Sequence, residues 1–513
     1  MSLRRAGCAA LLSAVVTAAG VRSSVAQGSQ GSPAALRADS FYAAGDRAAA
    51  TQAYRAVLSG NPENSHATFR LAQLTRDPAE RLALHRRYVA LEPRDPWGYM
   101  ALGDALARQG RYSEALRQYD EALRLAPAER DAIVGRARVL TRAGLPEDAA
   151  AAYDRWLAAH PDDAEALREL GRARLRAGHP AAAARALARA ERLDSSSGTR
   201  PLLRQARAQA APALEPLAAG SHDSDGNHLT RFGFAGDLAV AEGARLGLRA
   251  ERHQVSDGAS EGHADQAGLT LALRPRSTLR VDASGGAVRF AAAGPTVPEL
   301  TTPAGTFRLR WRAPRGGPAL DVSAQRVAVD ASPLLLANHV LRNEVSLRGE
   351  IPAGPLRLRG AGRAAGIEAG SERNTRTGFD AIAAVPLGSG LELSAQFHRL
   401  GYAHGTTAGY FAPKRVETAE AGTYFELGDG QPFVLALDLG AGVQRLAEQA
   451  AAPGPWRRAL RMYGYASAAI GPEARLQLEV EGYDAPLAGE AVTTSGAGWR
   501  YGSVAVSVRV AVP

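Results

Sequence analysis

Gly258-Ala259-Ser260-Glu261-Gly262 has the G-x-S-x-G spacing that can lift a serine nucleophile above a sheet for acyl transfer. That elbow needs a strand-to-helix turn, whereas this pentapeptide joins two runs of alternating apolar and polar residues. Asp223-Ser224-Asp225-Gly226-Asn227 carries oxygen ligands suited to calcium, but its glycine comes too early for an EF-hand and no glutamate closes the set. A turn leading into a strand accounts for it. The 11 histidines show no H-E-x-x-H spacing, and Gly360-Ala361-Gly362 lies in a strand-like run instead of opening a helix. A single cysteine, Cys8, rules out an internal disulfide, an all-thiolate zinc site, an iron–sulfur cluster and C-x-x-C redox chemistry. The residues present no case for an enzyme, and no cofactor or metal is expected.

What remains is charge on every second residue. Arg308, Arg310 and Arg312 alternate with Phe307, Leu309 and Trp311; Arg357 and Arg359, continued in parity by Arg363, alternate with Leu356 and Leu358. Glu479 and Glu481 alternate with Leu476, Leu478 and Val480 in the same way. Period two places one set on each face of a strand. If the apolar face meets lipid, these arginines and glutamates face a wet interior, where they either attract acidic or dipolar sugars or cross-link one another.

About 15 such runs of roughly ten residues follow one another between 231 and 512, separated by turns such as Gly316-Gly317-Pro318 and Gly428-Asp429-Gly430. A soluble sandwich would use shorter strands of ~5 to 6 residues. The length and the two-faced pattern predict a C-terminal antiparallel transmembrane β-barrel over 228–513, with an even count of 14 or 16 strands. Tyr463, Tyr465, Tyr483, Trp499 and Tyr501 are the candidates for its interfacial aromatic girdle. Residues 212–227, rich in Gly, Pro, Ser and Asp, read as a linker.

Ahead of it the period is helical. Pro62, Pro93, Pro127 and Pro161 recur at spacings of 31, 34 and 34, and Gly110, Gly144 and Gly178 share the 34-residue period. In the best unit Gly103 and Ala115 are small where two helices cross, Tyr119 fills the space toward the next unit and Pro127 stops the helix. Ala149, Tyr153, Pro161 and Gly171 occupy the matching places downstream. This resembles the tetratricopeptide repeat, and predicts an α-helical solenoid over 34–211 with four to five repeats and a capping helix near 200–210. The second unit is three residues short, near Asp77-Pro78. Such arrays bind proteins. Residues 1–26 read as a secretory signal: Arg4 and Arg5, an apolar run, then Ser24-Val25-Ala26.

Residues 1–210 hold 31 Arg against 22 Asp and Glu, a balance of +9, whereas 211–513 sum to zero. No basic block or aromatic nucleic-acid motif accompanies the surplus, so nucleic acid is not an expected partner.

A signal peptide, tetratricopeptide repeats and a C-terminal barrel in that order resemble the outer-membrane exopolysaccharide secretins of Gram-negative bacteria, including the cellulose synthase C subunit and the poly-N-acetylglucosamine porin. Tyr410-Phe411-Ala412-Pro413-Lys414 is similar to the Tyr-(Phe/Tyr)-Ser-Pro segment of the cellulose export barrels, with Ala412 in place of Ser. The resemblance implies a passive conduit for a polysaccharide chain, with an outer-membrane location, the repeats in the periplasm and periplasmic or inner-membrane synthase proteins as their partners. A barrel domain whose charges sum to zero fits a neutral, cellulose-like glucan better than a strongly charged polymer. The surface lipoprotein assembly modifiers share the layout, which leaves protein translocation open as an alternative, and a third is a non-conducting scaffold whose loops plug the barrel.

Overall fold

The computed structural model describes residues 32–195, 198–292, 299–388, 390–428, 433–449, 452–471, 473–484 and 499–512; the expected signal segment 1–26 lies outside them. The chain divides into two compact units, one ending at Pro127 and one beginning at Ala128.

The first unit holds three helix pairs, α1 (Pro33–Ala43) with α2 (Arg47–Gly60), α3 (Ser65–Leu74) with α4 (Pro78–Leu91), and α5 (Pro96–Arg108) with α6 (Tyr112–Leu125). Their starts are written in the sequence. Ser32, Asp46, Asn64, Asp77 and Asp95 each accept a first-turn backbone N–H, and α1, α4 and α5 open on proline, which has no N–H to leave unsatisfied. Helix α3 has 10 residues where α5 has 13, so the shortening of the second repeat comes out of its last turn. Ala50, Tyr54, Ala115 and Tyr119 are buried between the paired helices. A Cβ on Gly103 would meet the Tyr119 ring at 2.9 Å, which is why the crossing requires glycine there.

In the second unit, α7 (Arg130–Arg142) pairs with α8 (Pro146–Ala159) and α9 (Ala164–Ala177) with α10 (Pro180–Leu193), and α11 (Thr199–Ala210) follows. Leu203 and Ala206 of α11 pack on Ala183 and Leu187 of α10, giving the last pair its apolar cover. Asp163 ties the pairs together: it caps α9 at Ala166 N–H, receives two 2.8 Å bonds from Arg130, and accepts from the Trp156 indole at 2.9 Å. Burial opposes its ionisation, yet those donors bring its carboxyl down to about 2. Pro127 and Pro161 are exposed, not packed, just beyond the ends of α6 and α8. Their place is to end helices, which needs no burial.

The rest of the second unit is sheet. Its strands are β1 (Ala213–Asp223), β2 (His228–Ala241), β3 (Ala244–Ser256), β4 (Glu261–Arg276), β5 (Leu279–Ala292), β6 (Leu300–Arg312), β7 (Ala319–Ala328) and β8 (Leu341–Ala353). They continue as β9 (Leu356–Ala369), β10 (Glu372–Pro386), β11 (Leu391–Tyr402), β12 (Arg415–Leu427), β13 (Phe433–Ala447), β14 (Arg457–Ala469), β15 (Ala474–Tyr483) and β16 (Tyr501–Ala511). Each pairs antiparallel with the next, and β16 pairs with β1, closing a 16-strand barrel. The outer wall carries exposed Leu246, Phe307, Val345, Phe379, Leu439 and Val504. A short helix, α12 (Pro333–Ala337), lies between β7 and β8.

One expected boundary is wrong. The stretch 212–227 is not a linker: it contains β1, so the barrel starts at Ala213 and not at 228. Pro216 and Gly220 hid the strand, because proline cannot donate to a ladder. The structure accommodates it on one side only. Pairing with β2 runs unbroken through Pro216↔Phe234, while the ladder to β16 skips from Leu214↔Val510 to Leu217↔Ser507.

Two stability predictions follow from the helical packing. Gly171→Val places a branched side chain where a Cβ alone would already lie 2.4 Å from Leu187, and should lower the stability of the helical region by about 1–3 kcal/mol in a denaturant titration followed by circular dichroism. His85 on α4 is 5% exposed against Phe69, and burial, with the nearby Arg108 and Arg81 cations, pushes its imidazolium down to about 4. A folded value below the unfolded ~6.5 means that stability is fully present above pH 6.5 and is lost as pH falls toward 4. The same titration should show a loss on the order of 3 kcal/mol over that window, which His85→Leu removes.

Candidate functional site

Register decides which side chains share the interior. Arg308 lies opposite Asp282 and Ser323, Arg310 opposite Asp321, and Arg359 opposite Glu350, so one face of β5 through β9 collects charge of both signs. Two cavities of about 1140 and 1210 Å³ occupy the interior, and both are lined by Arg280 and Glu481. The smaller is lined by Arg308, Arg310, Arg312, Arg357, Arg359 and Arg363, and the larger by Glu479 and Glu481.

Most of this charge is paired across strands. Arg308 meets Asp321 at 2.6 Å and Arg310 meets Asp282 at 2.7 Å. Arg359 bridges Glu350 at 3.0 Å and Glu392 at 2.7 Å, Arg363 pairs with Asp380, and Arg357 approaches Glu350 only to 4.0 Å. Arg312 makes no ion pair among the described residues. Half-wet pairs of this kind add little stability each, so their main effect is to cancel the lumen's field. At the closing seam Arg509 contacts Glu215 at 3.4 Å and Asp237 at 2.8 Å, linking β16, β1 and β2 through side chains as well as backbone.

The aromatic residues of the last strands do not form a lipid-facing girdle. Tyr463, Tyr483, Trp499 and Tyr501 line the larger cavity, and Tyr465 stands opposite Glu479 on the same face. Arg461, two residues before Tyr463, shares that parity and was the signal in the sequence.

The two rims differ. One has the short turns β2–β3, β4–β5 and β8–β9; the other has the long connections β7–β8, β11–β12 and β13–β14. Helices α8 to α11 dock on the short-turn rim. Glu147 of α8 accepts from the Ser277 hydroxyl at 2.9 Å and from its N–H, Arg274 donates to Arg176 O at 3.0 Å, Arg185 pairs with Glu242 at 3.1 Å, and Arg245 reaches Gln209 O and Ala211 O. Gly178, the turn glycine with φ +86°, lies against Arg274, whose side chain occupies the space of a Cβ. Sequence reasoning missed this interface because its partners lie up to 130 residues apart.

At the opposite rim the β7–β8 connection folds into the barrel. Leu336 of α12, fully buried, packs on Val255, Val288 and Phe290 from one side of the inner wall, and Leu335 packs on Ile367 and Tyr402 from the other. The segment Tyr410-Phe411-Ala412-Pro413-Lys414 belongs to the same plug. Tyr410 is buried 5.8 Å from the Tyr402 ring, Pro413 O accepts from Tyr402 N–H at 3.0 Å, and Ala412 O accepts from Gln449 at 3.0 Å. Phe411 is half-buried and Lys414 exposed. Asn338 donates to Ala408 O at 3.1 Å, joining the two inward connections, and His253 on the wall holds Asp330 at 2.6 Å.

The discarded motifs are turns. Asp257 accepts from Ala259 and Ser260 N–H groups between β3 and β4, and Asp223 accepts from Asp225 and Asn227 between β1 and β2. Among the described residues no group of three or more His, Cys, Asp or Glu side chains could hold a metal ion, and no helix is long and apolar enough to cross a membrane.

The tetratricopeptide-repeat family matches residues 36–77, 100–164 and 134–198, so the helices are tetratricopeptide repeats. No curated protein matches the chain. Among solved structures it is similar to a bacterial polysaccharide outer-membrane secretin, at 10% identity over 59% of this chain and 99% of that one, TM-score 0.43. It is also similar to a thermophilic tetratricopeptide-repeat protein of Thermus thermophilus (26% identity, 33% of this chain and 94% of that one, TM-score 0.28) and to the MamA protein (22%, 32% and 90%, TM-score 0.29).

The plug makes a direct prediction. Replacing residues 331–339 with two glycines leaves β7 and β8 a short hairpin and removes α12 from the mouth, leaving only the β11–β12 part of the plug. Single-channel conductance of the full chain in a planar bilayer should rise severalfold, and an unchanged conductance would mean that the constriction lies elsewhere.

Proposed function

We propose that this protein is an outer-membrane export conduit for a polysaccharide, with its repeats in the periplasm recruiting a synthase or other periplasmic proteins. The observation that carries the reading is a closed 16-strand barrel, apolar outside, with cavities inside that are lined by charged side chains. Sixteen strands are wide enough for an aqueous channel. In barrels of this kind short turns face the periplasm and long loops the exterior, and the repeats dock on the short-turn rim. The chain performs no covalent step: the polymer is driven from elsewhere and the lumen keeps it wet.

Cross-strand ion pairing bears on the cargo. With Arg308, Arg310, Arg359 and Arg363 each held by a carboxylate, the wall offers an anionic polymer few unpaired cations. This favours a neutral, cellulose-like glucan. The inward helix α12 favours a second reading, a barrel that stays shut and serves as a scaffold or a translocator of surface lipoproteins.

Purified full-length protein in planar bilayers separates them. Stable current blocked by neutral oligosaccharides more than by acidic ones is expected of the conduit; a silent barrel, or current indifferent to every sugar, would favour the scaffold or protein translocation.

A further inference from the structure

The outward side of β11, β12 and β13 changes character toward the rim of the long connections. Its positions are uncharged along most of each strand, as with Leu393, Ala395 and Phe397 on β11 and Leu439, Ala441 and Val443 on β13. At the rim one row breaks the pattern: Arg399 stands opposite Glu417, and Glu417 opposite Arg445. Parity turns Arg399 outward with Phe379, its partner on β10, while the adjacent His398 points inward to Asp380 and Glu420.

One carboxylate faces three guanidinium groups here. Arg445 meets Glu417 at 2.5 Å and Arg415 approaches it only to 3.6 Å, whereas Arg399 is exposed and makes no ion pair among the described residues. The Arg445 guanidinium also lies 4.7 Å from the ring centre of Trp456, an exposed indole just ahead of β14. Inside the barrel Arg310, Arg359 and Arg363 each have a carboxylate to themselves or better. A surplus of cations on a lipid-facing wall is unfavourable unless an anion meets it at the interface.

The same strands offer room for a hydrocarbon chain beside that row. A groove of about 1210 Å³ runs along the outer wall. Its floor is Ala395, Ala421 and Ala441, mutually in register and four residues along from Arg399, Glu417 and Arg445, and its banks are Leu393, Leu439 and Met462. Arg458, in register with Val443 and paired with Asp484 at 3.4 Å, lines the end nearer the rim.

We propose that Arg399, Arg415 and Arg445 bind the phosphorylated headgroup of a membrane lipid whose acyl chain lies in the groove over Ala395, Ala421 and Ala441. A bidentate guanidinium–phosphate contact supplies the anion that Arg399 lacks, and the Trp456 indole sits at the level where headgroup and hydrocarbon meet. The inference rests on the outer-membrane placement proposed above, under which the long connections face the exterior and the lipid belongs to the outer leaflet.

Equilibrium binding of bisphosphorylated lipid A to the full chain in detergent, read by native mass spectrometry, tests the site without a membrane. Wild type should bind it about tenfold more tightly than the same lipid stripped of its phosphates. Arg399→Gln with Arg445→Gln should bring the two lipids within about twofold of each other, while Arg252→Gln, which removes an outward arginine of β3 already held by Asp265, should leave the preference intact. Ala421→Phe, which fills the groove floor, should weaken the binding of both lipids severalfold. Equal binding of the two lipids by wild type, or an undiminished preference in the double glutamine variant, overturns the site. Displacement by inorganic phosphate together with indifference to Ala421→Phe assigns the arginines to a free anion and overturns the lipid. The placement itself is judged separately, by recovery of wild type from the outer-membrane fraction. Heat-modifiable gel mobility reports closure of each barrel, and if the double variant fails to close, Arg399→Gln alone carries the comparison.

Discussion

The seam between β1 and β16 is the constraint on which the C-terminal half depends. An open sheet of this width would expose a row of unpaired N–H and C=O groups along each edge, a cost of several kcal/mol per group in hydrocarbon and an invitation to aggregate in water. Closing it satisfies every strand at once. The seam contains Pro216, which interrupts the β16 ladder, and the interruption is offset by Arg509 and Ser507 meeting Glu215 across the gap. Backbone closure and side-chain closure are thus made by neighbouring residues of the same strands.

Closure fixes parity, and parity fixes chemistry. Once β1 meets β16, every odd residue of β15 must face inward and every even one outward, because a one-residue slip would turn the whole apolar set into the lumen. The ion pairs follow from that rule: Arg308–Asp321 and Arg310–Asp282 join residues that register had already brought opposite or diagonal to each other. The rims escape it. Residues 329–340 and 403–414 are free of the ladder, and they use that freedom to fill the mouth with Leu335, Leu336 and Tyr410.

Strands and repeats were legible where a period repeats over many turns. The 34-residue spacing of glycines located the helix pairs, and alternation located 15 of the 16 strands. Pro216 concealed the remaining one, since a single proline in a run of small residues erases the period-two signal that neighbouring strands carry in bulk. The inward orientation of Arg308, Arg359 and Glu481 could be read because arginine and leucine disagree sharply about lipid. Tyrosine does not disagree so sharply, being at home in water, at an interface or in a core, and so Tyr463 and Tyr501 had no preferred face until register supplied one. The docking of Glu147 on Ser277 and of α12 on Phe290 has no local period at all. Long-range contacts of irregular segments leave no repeating trace in a single sequence.

The motif at Tyr410 shows how a resemblance gains physical content. As a string, Tyr-Phe-Ala-Pro marks only a likeness between barrels. In the structure two of its carbonyls find donors and its ring finds a packing partner: Pro413, lacking an N–H, accepts at its carbonyl from Tyr402, Ala412 accepts at its carbonyl from Gln449, and the Tyr410 ring packs in the cluster that holds Leu335 of α12. A small residue suits position 412 because it is buried within that cluster, where a larger side chain would compete with Leu335. The segment therefore belongs to the filled mouth of the barrel and not to its charged wall. The charged wall and the filled mouth are thus set by different constraints, strand register for the first and the packing of two irregular connections for the second.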